Sequence, residues 1–366
     1  MTTQIDKLIN LNIKTIKEYQ KKLSTLIGVS GYEEDVINFI YNEIKANALA
    51  DKAWIDKLGN VLAIINGKDN SSDRILFDAH IDEIGFMVSH IEDKGFLKIV
   101  LLGSWDTRIL LGQSVIIKSI DGKHYNGIIG SKPPHLSTKK ERDKKIQVSD
   151  LYIDIGMFSA EEVLDNNIQI GSTGTLMSPF EEFPNNMIRG KAFDDRTGCN
   201  VLLHIMKSLK ETSSIEDTIM FNFAVQEEIG GRGAITGAFN LKPTLAIAIE
   251  NTTAGDVPGI PSSKCPTYIG KGPAITIADK SIITSSYINK RLSANAELEK
   301  IPYQYKKPIY GRTDAGKIHL TREGVPSSVV SVPCRYIHSP TSLLKLEDIS
   351  NTIKLLDSFL RNPANV

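Results

Sequence analysis

The run Ile219–Val225 is almost wholly apolar and ends, after Gln226, in two adjacent carboxylates, Glu227 and Glu228. Glycines follow at 230, 231 and 233. The run reads as a buried strand, and two acids at its end are costly to bury unless something compensates them. A metal ion compensates them, and a general base beside it has work to do. An acidic turn facing solvent is the other reading, and the rest of the chain decides between the two.

At 366 residues the chain is long enough for two domains. Its 41% hydrophobic and 23% charged residues are those of an ordinary globular protein. Lys plus Arg and Asp plus Glu number 43 each, so no charge excess points to nucleic acid or to a disordered acidic tail. Cys199, Cys265 and Cys334 are odd in number and form no CxxC pair, which argues against a disulfide framework and fits a reducing cytoplasm. The first residues, Met1 to Asp6, lack the basic and apolar regions of a signal peptide, and no run reaches the ~18 apolar residues of a membrane span. These features predict a soluble cytoplasmic protein with neither a nucleic-acid nor a membrane partner.

Ile5, Leu8, Ile9, Ile13, Ile16, Tyr19, Leu23 and Leu26 recur at helical spacing, an amphipathic helix or a close pair of helices that Gly28 and Gly31 end. Ser30-Gly31-Tyr32-Glu33-Glu34 opens a second helix with acids in its first turn. Asn60–Gly67 reads as a strand and turn, and Arg74–His80 as another strand. From about Phe86 to Gly174 short β-like runs alternate with turns, the texture of a small all-β module. Within it, Lys139–Lys145 mixes both charge signs and reads as a solvated loop. Beyond Gly174, helix and strand alternate again: helices at 197–209, 280–296, 315–324 and 346–360, strands at 219–225, 244–249 and 328–333. The fold expected is a mixed-sheet α/β/α catalytic domain, residues 1–92 and 171–366, interrupted by an inserted β-rich domain, residues 93–170.

Ligand-capable side chains sit just past the apolar runs. His80 follows Ile75–Ala79, Asp194 and Asp195 precede a helix, Glu227 and Glu228 follow Ile219–Val225, Glu250 follows Leu245–Ile249, and His338 follows Ser328–Ile337. Ligands of open α/β sheets bind at the carboxyl ends of strands, so these groups should converge. Two histidines with several carboxylates suit two divalent ions, one carboxylate bridging them and another left as base. In His80-Ile81-Asp82 the acid can accept the second imidazole N–H and fix the tautomer.

Six segments in order carry a family resemblance: His80–Phe86, Lys191–Arg196, Gln226–Gly230, Thr253–Pro258, Thr313–Gly316 and Arg335–Pro340. Together they resemble the M42 metallo-aminopeptidases, which include the TET peptidases, glutamyl aminopeptidases and some proteins bearing a cellulase name. The resemblance implies that His80 and Glu250 hold one metal, Glu228 and His338 the other, and that Asp194 bridges them. It makes Glu227 the general base and Asp82 the residue that orients His80. It implies two divalent ions per subunit, Zn²⁺ or Co²⁺ with Mn²⁺ as a further candidate, and short peptides as substrates. The inserted module becomes a dimerisation domain, and the assembly a homododecamer built from dimers. Many members carry Asp where this chain has Glu250, so the geometry of that ligand is open.

Other features have plainer readings. His90, His124, His204 and His319 have no ligand-like company, His135 follows two prolines, and Cys199 reads as packing. Asp195 and Asp256 read as support for the site, and Asp314 as an N-cap. Arg312 is a surface arginine or the group that recognises an acidic N-terminal side chain. Glycoside hydrolysis is a competing function, but it needs two acids facing each other across a sugar and leaves both histidines idle. A non-catalytic scaffold would not need the full ligand set.

Overall fold

The computed structural model of the chain describes residues 12–68, 73–211, 215–307 and 310–362. Ile5, Leu8 and Ile9 of the expected first helix lie outside the described residues. The chain divides into two compact units.

The first unit is drawn from Met1–Asp82, Pro179–Ile337 and Thr341–Val366. Its eight-stranded sheet contains β1 (Lys52–Ile55), β2 (Val61–Ile65), β3 (Arg74–His80), β12 (Thr218–Ala224), β13 (Leu245–Thr253), β14 (Ala274–Thr276), β15 (Gln304–Lys306) and β16 (Ser327–Cys334). Their spatial order is β1-β2-β12-β3-β13-β16-β14-β15. The central strands β12, β3, β13 and β16 run parallel; β2 pairs antiparallel with β12 and with β1, β14 antiparallel with β16, and β15 parallel with β14. Buried on both faces, these four read as nearly continuous apolar runs.

Alternation along these strands divides the core. Ile75, Phe77, Ile219, Phe221, Phe223, Leu245, Ile247, Val330 and Val332 join the large cluster containing the helices Ile13–Thr25, Glu34–Ala46, Phe193–Lys210 and Leu346–Arg361. Leu76, Met220 and Ala246 point the other way, toward Ala234, Ala238 and Leu241 of helix Arg232–Leu241 and Ile318 of the short helix Ala315–Ile318. Helices therefore cover both sheet faces, as α/β/α layering requires. A small antiparallel sheet joins β10 (Glu181–Phe183) and β11 (Met187–Gly190) to β17 (Ser342–Lys345).

The second unit is Glu83–Ser178 with His338–Pro340. Six strands, β4 (Gly85–Ile91), β5 (Leu97–Leu102), β6 (Ser114–Lys118), β7 (His124–Ser131), β8 (Leu151–Asp154) and β9 (Thr173–Leu176), close an antiparallel barrel. Its interior is Phe86, Val88, Leu97, Ile99, Val115, Ile117, Ile129, Leu151 and Ile153. The sequence places the insert at 93–170. In the structure β4 pairs with β5 and β9, and β9 with β6, so both flanking strands belong to the barrel.

Two helices differ from expectation. The segment from Lys280 becomes helical only at Ser286. Before it, Asp279 Oδ1 accepts the N–H groups of Ser281 and Ile282, and Thr284 N–H donates to the Ile277 carbonyl, so the chain turns first. The helix opened by Ala315 ends at Ile318, in turns through Leu320 and Thr321. Among the described residues no helix is long and apolar enough to cross a membrane.

Candidate active site

His80 ends β3, and the Ile81 N–H is fixed 2.7 Å from the Ala224 carbonyl at the end of neighbouring β12. Asp78, His80, Asn222 and Glu250 are even-numbered like Leu76, Met220 and Ala246, so they share a sheet face. Glu250 does not follow its strand as expected; β13 continues to Thr253 and carries Glu250 within it, 4% exposed.

Asp194 and Asp195 interrupt the start of helix Phe193–Lys210, where both leave helical φ/ψ and the peptide between them is cis. Asp195 is fully buried, and its Oδ1 accepts the Gly198 N–H at 3.0 Å. A Cβ on Gly198 would lie 2.2 Å from Asp195 Oδ2, so only glycine lets the carboxylate occupy this place. The buried Arg196 guanidinium is spent on carbonyls, with Nε 2.6 Å from Ile81 O and Nη1 2.6 Å from Leu23 O.

Around the imidazole the geometry is tight. His80 Nε2 lies 3.4 Å from Asp194 Oδ1, 3.9 Å from Glu250 Oε2 and 4.0 Å from Glu227 Oε2. Nδ1 lies 3.3 Å from Asp82 Oδ1. Two ligand groups share the ring: His80 with Asp194 and Glu228, and His80 with Asp195 and Glu250, each with its ligand atoms within 4.8 Å of one another. The structure thus brings His80, Asp82, Asp194, Glu227, Glu228 and Glu250 together. His338 belongs to the second unit, where its Nδ1 lies 3.0 Å from the Ser104 carbonyl oxygen, and neither group includes it. Arg312 is exposed.

Electrostatics follow from crowding acids in a buried space. Burial, then the neighbouring acids, drives Glu250 well above the carboxylate range, against the pull of His80. Glu227 is pushed up to about 8, by burial first and then by Glu228, Asp82 and Asp194, while His80 opposes the shift. Burial acts against the charged form of His80, but hydrogen bonding to Asp194 and Asp82 overrides it and raises the ring. Each is the signature of acids held close without enough positive charge.

Some members were missed in the sequence. Asp78 is buried on the His80 face, receives Asn222 Nδ2–H at 2.6 Å and is pushed up to about 6 by burial. Asp314 makes no side-chain cap bond; it is fully buried, and burial followed by the Asp78 charge raises it strongly. A period of two from His80 could have flagged Asp78; Asp314 lies in the Thr313–Gly316 segment, but its N-cap reading hid a buried acid. Lys306, at the end of β15, is 9% exposed, and burial lowers its amine against the opposing pull of Asp279, Glu250 and Asp194.

The donor set fits divalent cations. Among the described residues no hydrogen-bond donor reaches Asp195 Oδ2 or either carboxyl oxygen of Asp314. Imidazole with several carboxylates is a borderline-to-hard ligand set, and a cation among them offsets the repulsion that raises Glu250.

Residues 59–355 match the sequence profile of the M42 glutamyl aminopeptidase family. The chain belongs to the M42 peptidase family. A putative aminopeptidase of Acetivibrio thermocellus is 39% identical, over 92% of this chain and 96% of its own. The lysyl aminopeptidase of Pyrococcus furiosus is 34% identical, over 94% of this chain and 96% of its own. Among solved structures, the TET aminopeptidase of a marine-sediment thaumarchaeon superposes with TM-score 0.91 at 37% identity, covering 96% of this chain and 98% of that one. The TET1 peptidase of Pyrococcus horikoshii, described as assembling into a tetrahedron or a large octahedral shell, gives 0.82 at 33%, covering 94% and 99%. This M42 member is an aminopeptidase, a hydrolase of peptide bonds.

Proposed function

We propose that this M42 aminopeptidase uses two divalent cations, Zn²⁺ or Co²⁺ or else Mn²⁺, with Glu227 as general base. The observation that carries the reading is the pair of ligand groups sharing His80, with Glu227 Oε2 4.0 Å from its ring. His80 and Glu250 would hold one cation, Glu228 would hold the other, and Asp194 would be shared between them. The assignment of His338 beside Glu228 rests on the family resemblance of Arg335–Pro340. Asp82 holds the His80 tautomer through Nδ1.

Bound there, the cations would supply Lewis acidity and make a water easier to deprotonate. Glu227 takes the proton of that water and delivers it to the leaving amine. Chain ends are the substrates, short peptides cleaved one N-terminal residue at a time. Acidic N-terminal residues are favoured, through a cation beside the site. Arg312 is the sequence's candidate for that cation, and the buried Lys306, which feels Glu250 and Asp194, is the structure's.

The barrel serves dimerisation and the assembly is a homododecamer built from dimers, a reading supported by the assembling P. horikoshii relative and by exposed apolar residues such as Leu136 and Phe158. The cytoplasm is its compartment, consistent with three free, buried cysteines. Chelation should abolish release of N-terminal residues from short peptides, and re-added Zn²⁺, Co²⁺ or Mn²⁺ should restore it. Activity that survives exhaustive chelation would remove the dinuclear reading.

A further inference from the structure

The turn carrying Glu227 and Glu228 is held by its own backbone amides. Gln226 N–H donates to Glu33 Oε1 at 3.1 Å, Glu227 N–H to Asp82 Oδ1 at 2.9 Å, and Glu228 N–H to Asp82 Oδ2 at 3.1 Å. Three consecutive donors thus end on two buried carboxylates. The turn also needs holding, because Gln226 adopts φ +59°, a left-handed conformation that non-glycine residues resist.

Asp82 comes from the His80 motif. Glu33 comes from the other end of the sequence, just before helix Glu34–Ala46. It is 4% exposed and its place is fixed locally. The tight turn Val29–Tyr32, closed by a 2.7 Å bond from Tyr32 N–H to Val29 O, has Gly31 at φ +87°. Gly31 N–H donates to the same Glu33 Oε1 at 2.7 Å. From that turn Ser30 Oγ also donates to Asp82 Oδ2 at 2.6 Å. One small turn therefore braces both carboxylates that grip the base-bearing loop.

We propose that Glu33 is a positioning residue for Glu227: its Oε1 fixes the left-handed turn at Gln226 and so aims the base. The inference rests on the assignment of Glu227 as base. What the contact requires is an acceptor oxygen at the reach of a glutamate side chain. Charge is secondary, since burial and the Asp82 charge already push Glu33 up to about 7. Catalytic geometry is sensitive to displacements of about 1 Å, which can cost on the order of a hundredfold.

Glu33→Gln keeps the reach and loses the charge, whereas Glu33→Asp keeps the charge and falls short by a methylene. Steady-state kinetics, metal content and hydrogen–deuterium exchange across residues 226–228 separate the two variants. Glu33→Asp should lower kcat roughly 10- to 100-fold with KM and metal content nearly unchanged, and speed amide exchange in that turn. Glu33→Gln should resemble the parent in all three. The proposal is overturned if Gln falls as far as Asp, if neither variant changes, or if kcat falls only with loss of metal or of melting temperature. Glu227→Gln, measured in parallel, judges the base assignment separately. Should that variant stay active, the exchange data still decide whether Glu33 holds the turn.

Discussion

The backbone N–H of Asp314 donates to Glu250 Oε1 at 2.9 Å, while Glu250 Oε2 lies 3.9 Å from His80 Nε2. One oxygen of this glutamate is anchored and the other is presented to the site. The extra methylene relative to aspartate is what lets the side chain do both from inside β13. Glu250→Asp withdraws the carboxylate by roughly 1.5 Å. It should weaken metal binding at one of the two proposed sites, read as a lower metal-to-protein ratio after dialysis against dilute chelator, while far-ultraviolet circular dichroism stays unchanged. A fully retained ratio would mean that Glu250 is not a ligand.

Glu227 and Glu228 share a turn, and the proposed function gives them different work. Glu228 joins His80 and Asp194 in a ligand group, and Glu227 stands 4.0 Å from the ring. Glu228→Gln should lose metal, measured by elemental analysis. Glu227→Gln should keep it and lose about 10²- to 10⁴-fold in kcat, the usual worth of a positioned acid–base group. The reverse pattern, metal lost with Glu227 and kept with Glu228, exchanges the two assignments.

Much of this arrangement was legible because strand ends announce themselves. Apolar runs that stop at His80 and at Gln226–Glu228 placed candidate ligands at carboxyl edges, and alternation along β3 and β13 puts His80 and Glu250 on one face. What escaped detection depends on distant pairing. Asp314 has the sequence of an N-cap, and only the packing of its segment against β13 reveals a buried acid beside Asp78. Glu33 reads as a first-turn acid until the 226–228 turn is folded against it. Lys306 is one of many lysines in the sequence, and its burial on an edge strand leaves no local periodicity. The barrel's limits were misplaced for a related reason: β4 follows the His80 motif directly, and only its pairing with β5 and β9 shows which unit it serves.

His204 is a buried neutral histidine on helix Phe193–Lys210. Its Nδ1–H donates to Asn200 O at 2.9 Å and its ring meets the edge of Tyr19. Burial pulls it from 6.5 to about 4. As pH falls through 6.5 the unfolded chain takes up a proton that the folded ring refuses until about pH 4, so stability is lost on acidification across that window. Between pH 7 and pH 5 this one group should cost about 2 kcal/mol. His204→Leu removes the titration, so its melting temperature should fall less than the parent's over the same interval. Parallel falls in both proteins would show that His204 carries no part of the acid sensitivity.

Lys306 and Arg312 offer alternative sources for a preference for acidic N-terminal residues. Arg312 is exposed, and a solvated guanidinium contributes little to discrimination because water competes for it. Lys306 is buried, and its amine feels the charges of Asp279, Glu250 and Asp194, so what charge it carries is poorly screened. Lys306→Met should lower kcat/KM for Glu-terminal peptides roughly tenfold or more relative to Leu-terminal ones, whereas Arg312→Ala should leave that ratio within about twofold. A uniform loss over Glu-, Leu- and Lys-terminal substrates in Lys306→Met would instead assign the amine to balancing the acids of the metal site. A shift confined to Arg312→Ala would return specificity to the surface residue, and a parent that prefers Lys-terminal peptides would end the acidic-preference reading.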